Sequence, residues 1–128
     1  MRIFNLVFLF TLIYPQDHSS EWTSITSFLT PTDIRVLANG NVYASTSGGL
    51  LEFNLNTEEF NFIKTAEGLI YLDLATIAKD SQDRLWFGGA YPRGCLQVYD
   101  PKIGLVKYFE DALIVSINNI QIKEDIAF

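Results

Sequence analysis

The sequence predicts an all-β fold, a β-propeller fragment of four-stranded antiparallel blades, and three observations carry that expectation. After Tyr14 no segment sustains a helical period of 3.6 over three turns, whereas short stretches with alternating apolar residues recur between turn residues. Residues 34–46 align with 77–89 at an offset of 43, which sets Ile34 on Ile77, Val42 and Tyr43 on Leu85 and Trp86, and the turn 39–41 on 82–84. Each copy divides into four alternating segments. A four-stranded unit repeated every 40–45 residues or so, with apolar faces that one unit cannot bury alone, is the pattern of a propeller blade.

In the first copy, strands are expected at Asp33–Ala38, Asn41–Thr46, Leu50–Asn54 and Glu59–Lys64. The turns between them fall at 39–40, 47–49 and 55–58, where Gly40 and Gly48 or Gly49 supply the positive φ of tight hairpins. In the second copy, once three extra residues are allowed in a loop, Leu50–Asn54 falls on Leu96–Asp100 and Phe60–Phe62 on Val106–Tyr108. Its turns are 81–83, a longer 89–94, and 101–104, where Pro101 fits a turn position and not a central strand. The pairs Gly48–Gly49 and Gly88–Gly89 read as hairpin glycines; neither precedes a helix, so neither cradles a phosphate. A third copy starts at Ile117, with Ile126 in the place of Leu85 at an offset of 41.

The expected organisation is therefore blade 1 at 33–71, blade 2 at 72–112, and the truncated start of blade 3 at 113–128. Residues 17–32 form an N-terminal strand and linker, in which the alternating Trp22–Phe28 would complete the last blade of a ring. The blade-core repeat positions are Ile34, Tyr43, Phe53, Ile77, Trp86 and Tyr99.

Ahead of the repeats, Met1-Arg2 leads into twelve mostly apolar residues, Ile3–Tyr14, and then into the polar stretch 15–20. This reads as a secretory signal peptide, 1–16, with its end between 16 and 20. The run is well short of the roughly 20 apolar residues a membrane helix needs. Removing 1–16 takes Arg2 alone, so eight basic groups remain against fifteen acidic ones, a net charge of −7. Such an acidic surface excludes partners bound through their phosphates, nucleic acid first among them. A content of 48% hydrophobic and 14% aromatic residues belongs to a folded chain. Cys95 is the only cysteine, which rules out an intrachain disulfide and marks it as a small core residue.

Candidate chemistry is sparse. Asp80 and Asp83 flank a turn, where aspartate side chains accept hydrogen bonds from their own loop, and their spacing lacks the further oxygen ligands of a calcium loop. Glu58–Glu59 and Glu110–Asp111 stand at strand borders, as charges that discourage edge pairing. The only histidine, His18, lies beside the cleavage region, so no histidine triad or multi-histidine metal site can be built. No catalytic residue, metal or cofactor is expected. The exception is the insertion around Tyr91, Pro92 and Arg93, which exists in one copy only; such insertions map to one face of a repeat protein, often its binding face. The expected partner of this loop is a protein or a surface glycan.

Ile77–Gly89, followed by Gly94–Pro101, resembles the repeat of the two-component regulator propeller family. There an Ile-x-x-Asp-x-x-Gly-x-Leu-Trp-x-Gly-Thr run leads to a Gly-Leu-x-x-Tyr-Asp-Pro strand. Asp83 stands where the family has Gly, Gly89 where it has Thr, and the 91–93 insertion is extra. Val42–Leu50 and the later Glu67–Leu69 are similar to the N-terminal propeller of PorZ-like surface proteins of type IX secretion systems. The resemblance spans residues 21–128 and implies fold more sharply than function. It implies a non-catalytic exported module for ligand sensing or protein interaction, in a bacterial cell-envelope or surface protein, periplasmic or at the cell surface. Its alternatives are the periplasmic sensor domain of a hybrid two-component histidine kinase, and part of a propeller hydrolase or lyase.

Overall fold

The computed structural model describes residues 28–128. The signal-peptide reading and all but the last residue of the expected strand Trp22–Phe28 lie outside the described residues. The described chain is all-β. One four-stranded sheet holds β1 (Pro31–Val36), β2 (Val42–Thr46), β3 (Gly49–Asn54) and β4 (Glu59–Ile63) in that order. A second holds β5 (Leu74–Lys79), β6 (Leu85–Gly89), β7 (Cys95–Asp100) and β8 (Gly104–Glu110). All pairings are antiparallel between consecutive strands, and a short hairpin, β9 (Ile122–Lys123) with β10 (Ile126–Ala127), follows.

The turns follow from their residues. Between β2 and β3 the Thr46 hydroxyl donates to the Gly49 carbonyl at 2.8 Å and accepts the Gly48 N–H at 3.0 Å. Gly49 is obligatory there, since its φ is +124° and a Cβ would lie 2.5 Å from the Ile63 carbonyl oxygen. Between β3 and β4 the Asn54 side chain accepts the Asn56 N–H at 2.9 Å, and Glu58 takes the left-handed conformation at φ 58°. Pro101 opens the β7–β8 turn, which the Ile103 N–H closes onto the Asp100 carbonyl at 3.1 Å.

Each strand alternates between two faces, and registration across the ladders sorts residues by face. Tyr43, Leu50 and Ile63 share one face of the first sheet and turn toward the second. Ile77, Leu85, Phe87 and Tyr99 share the face of the second sheet that meets them. Together with Leu37, Leu69 and Leu74 they form one core running between the sheets. Leucine or isoleucine to alanine at such sites costs about 2–5 kcal/mol. The connection 64–73 is tied down from inside the core: the fully buried Gln97 side chain accepts the N–H groups of Ile70 and Tyr71 and donates to the Tyr71 carbonyl at 2.9 Å.

Three of the expected blade-core positions lie outside the core between the two sheets. Ile34 is 56% exposed, because its side of β1, shared with Ala44 and Leu51, meets no other sheet among the described residues. Phe53 lies on that same open side, half-buried against Phe60 with ring centroids 4.8 Å apart. Trp86 is half-buried on the far side of the second sheet, while its register partner Ala78 is 5% exposed. Tyr43, Ile77 and Tyr99 sit in the core.

The second glycine pair also differs from expectation. Gly88 and Gly89 lie within β6, paired with β5 and β7, and no hairpin passes through them. They are small because other backbone presses on the strand: residues 111–120 cross the far side, with the Ile117 N–H donating to the Gly89 carbonyl at 3.0 Å and the Gly94 N–H to the Ile114 carbonyl at 2.8 Å. A Cβ on Gly88 would lie 2.6 Å from the Ile117 carbonyl oxygen, and one on Gly89 2.3 Å from that of Asp73.

Gly88→Ala is therefore expected to push the 111–120 segment off the sheet while leaving the inter-sheet core in place. Hydrogen exchange at the Ile117 amide should accelerate by at least about tenfold, whereas the amides of β2 and β3 keep their protection. Unchanged exchange at Ile117 would contradict this packing.

Candidate binding site

Three turns gather at one end of the stacked sheets: 37–41 between β1 and β2, 80–84 between β5 and β6, and 100–104 between β7 and β8. The second is built on Asp80, whose carboxylate is buried. It accepts the N–H groups of Gln82 and Arg84, the Arg84 Nε at 2.6 Å and the Trp86 Nε1 at 3.0 Å. Burial pushes the carboxyl up, but these donors, Trp86 first, outweigh it and hold Asp80 below the ordinary 3.8. Asp83 completes the same turn in the left-handed conformation at φ 60°.

Asp83 also reaches across to the first sheet, accepting the Ala38 N–H at 3.1 Å, while Lys79 pairs with its other oxygen at 3.2 Å. The same device recurs one unit on. Asp125, at φ 59° in the β9–β10 turn, accepts the Ser81 N–H at 3.0 Å and the Ser81 hydroxyl at 2.8 Å. A second clamp binds the sheets at β1, where Asp33 accepts from the Thr76 hydroxyl and the Ile77 N–H, and the Thr32 hydroxyl donates to the Leu74 carbonyl at 2.8 Å.

Between the joined turns opens a cleft of about 480 Å³, within the size range of ligand pockets. Tyr43, Glu52, Asn41, Asp83, Asp100 and Lys102 are among the residues that line it. The Glu52 carboxylate takes the Tyr43 hydroxyl at 2.5 Å and the Asn41 Nδ2 at 2.8 Å on one oxygen, and the Asn61 Nδ2 at 3.3 Å on the other. Burial, with Glu52 beside it, pushes the Tyr43 phenol well above its ordinary value, so it stays a donor. Its ring lies inside the core and presents no face for stacking.

The expected interaction loop lies elsewhere, between β6 and β7. Tyr91, Pro92 and Arg93 are all exposed there, Tyr91 at 74%, and none of the three lines the cleft. Cys95 is buried, and its thiol is pushed up by that burial and then by Asp73 and Glu110. Among the described residues no group of three or more His, Cys, Asp and Glu could hold a metal ion. Sequence reading missed the cleft because Asn41, Glu52 and Asp100 come from separate segments with no motif between them; the clustering of turn residues at one repeat position was the only available signal.

Asp80, and Asp33 with it, should make stability acid-sensitive. Their folded values lie below 3.8, so protonation favours the unfolded chain. The contribution is complete above the ordinary carboxylate value and is lost as the pH falls through the folded values. Asp80→Asn is expected to cost about 2 kcal/mol at neutral pH and to flatten the loss between pH 4 and about pH 2, read from urea midpoints across that range. A variant whose acid limb matches the parent would contradict this role. Compared with known proteins, the chain matches no family model, no curated protein and no solved structure.

Proposed function

We propose that the chain is part of a β-propeller, an exported, non-catalytic module of a bacterial cell-envelope or surface protein that binds a protein or surface-glycan partner. The observation that carries this reading is the stacking of two four-stranded meanders through unlike faces. The Ile77–Phe87 side of the second sheet is covered by the first sheet. Among the described residues no second sheet covers the corresponding side of the first sheet, which carries Ile34, Val36, Phe60 and Phe62, each 50% exposed or more, with the Phe28 ring 4.7 Å from that of Phe62. An open apolar face of this kind suits a further blade. A ring needs about four to eight blades, which more chain or other copies would supply. The starts of β1 and β5, Pro31 and Leu74, and of β2 and β6, Val42 and Leu85, keep the 43-residue spacing of the sequence copies, in support of a common blade unit.

Binding rather than catalysis is supported by what the carboxylates do. Asp33, Asp80, Asp83 and Asp125 are engaged in holding turns and sheets together. The Tyr91–Arg93 loop, exposed beside the second sheet, has the composition favoured at interface anchors. Export follows from the apolar run at Ile3–Tyr14.

Residues 17–128 should associate as concentration rises, measured by light scattering, and the double substitution Phe60→Ser and Phe62→Ser should restore a monomer with unchanged β-sheet circular dichroism. Sharp, reversible, concentration-independent unfolding of the parent chain would overturn the open-blade reading. For the loop, Tyr91→Ala with Arg93→Ala should weaken binding of a partner, once isolated, by at least about tenfold; unchanged binding would remove the loop from the site.

A further inference from the structure

We propose that the cleft between the turns receives a guanidinium group, as carried by arginine. This stands on the cleft alone and needs neither the ring nor export. Asn41 is 8% exposed and lines the cleft, and its amide orientation is fixed, because Nδ2 donates to the Glu52 carboxylate. The Asn41 side-chain carbonyl is consequently the atom left over, and among the described residues nothing donates to it. A buried acceptor without a donor costs free energy until a ligand or water supplies one.

Two further cleft residues are anionic acceptors, and Lys102 brings one cation to the lining. Glu52 and Asp100 are carboxylates, and Asp100 commits one oxygen to the Lys102 N–H of its own turn, leaving Oδ2 without a partner among the described residues. Asp83 is already neutralised by Lys79. Acceptors on several walls of one cleft match a ligand with several N–H donors in one plane and a positive charge. The guanidinium has five such donors, and it is weakly hydrated, so it enters a half-closed cleft at lower cost than an ammonium. A sugar ring fits less well, since the only aromatic among the described lining residues, Tyr43, is buried by the core and offers no stacking face.

The test is a titration of the whole chain with N-acetyl-argininamide, followed by calorimetry and by amide chemical shifts. Saturable binding is expected, with shifts centred on Asn41, Gln82 and Lys102. The neutral isostere N-acetyl-citrullinamide should bind at least about tenfold more weakly, the size expected for losing charge-assisted hydrogen bonds. Asp100→Asn, which keeps the turn's acceptor, and Glu52→Gln, which keeps one oxygen for Tyr43 and Asn41, should each weaken binding by about five- to tenfold. A capped Gly-Arg-Gly peptide separates the sources. Tighter binding than the argininamide marks an arginine on a protein partner, and equal binding marks a free arginine-like ligand; both support the site. No saturation up to about 20 mM, well beyond the weakest specific affinities, would overturn it. So would equal binding of the citrulline compound, or shifts confined to other residues.

Discussion

Neither four-stranded sheet can bury its apolar faces by itself, and the rest of the structure depends on that constraint. Each carries apolar residues on both sides; the second sheet is covered by the first on one side and crossed by residues 111–120 on the other, while the first keeps an exposed apolar side. The contact between Tyr43, Leu50 and Ile63 on one sheet and Ile77, Leu85 and Phe87 on the other is the core between the sheets that results. Its stabilisation comes mainly from apolar area withdrawn from water, which has no preferred direction. Direction comes from the polar links at its margins.

Those links are economical. Asp33 and Thr32 fasten the start of one sheet to β5, and Asp83 fastens the turn of the second sheet back to Ala38. Asp125 repeats the second link onto Ser81, one unit further along. Each aspartate in a left-handed turn thus serves its own hairpin and the unit before it, because an Asx side chain tolerates that conformation and still presents a free oxygen. The cleft is a by-product of this joining. Turns held side by side by side-chain bridges cannot close on one another completely, and the polar residues that turns require line the space between them.

Glycine shows how the same residue type answers different demands. At Gly49 the backbone torsion selects it, a local need that a turn pattern announces. At Gly88 and Gly94 the approach of Ile117 and Ile114 selects it, and no local pattern announces a neighbour that arrives twenty or more residues later. Gly88–Gly89 looks like a hairpin in sequence for that reason and is a strand in space. The cleft was illegible on the same ground: Asn41, Glu52 and Asp100 become neighbours only through the stacking of two sheets.

By itself the sequence determined the all-β class, the strand and turn succession from Asp33 to Tyr108 to within a few residues, and the turn-forming role of Asp80 and Pro101. Alternation of apolar residues and the conformational preferences of Gly, Pro and Asp act over a few residues, so they can be read locally. Only the tertiary structure decided which side of each sheet is covered. Ile34 and Ile77 occupy like positions in like strands, yet one is exposed and the other wholly buried. The difference lies in what stacks against them, and burial belongs to the packing of two surfaces rather than to either residue.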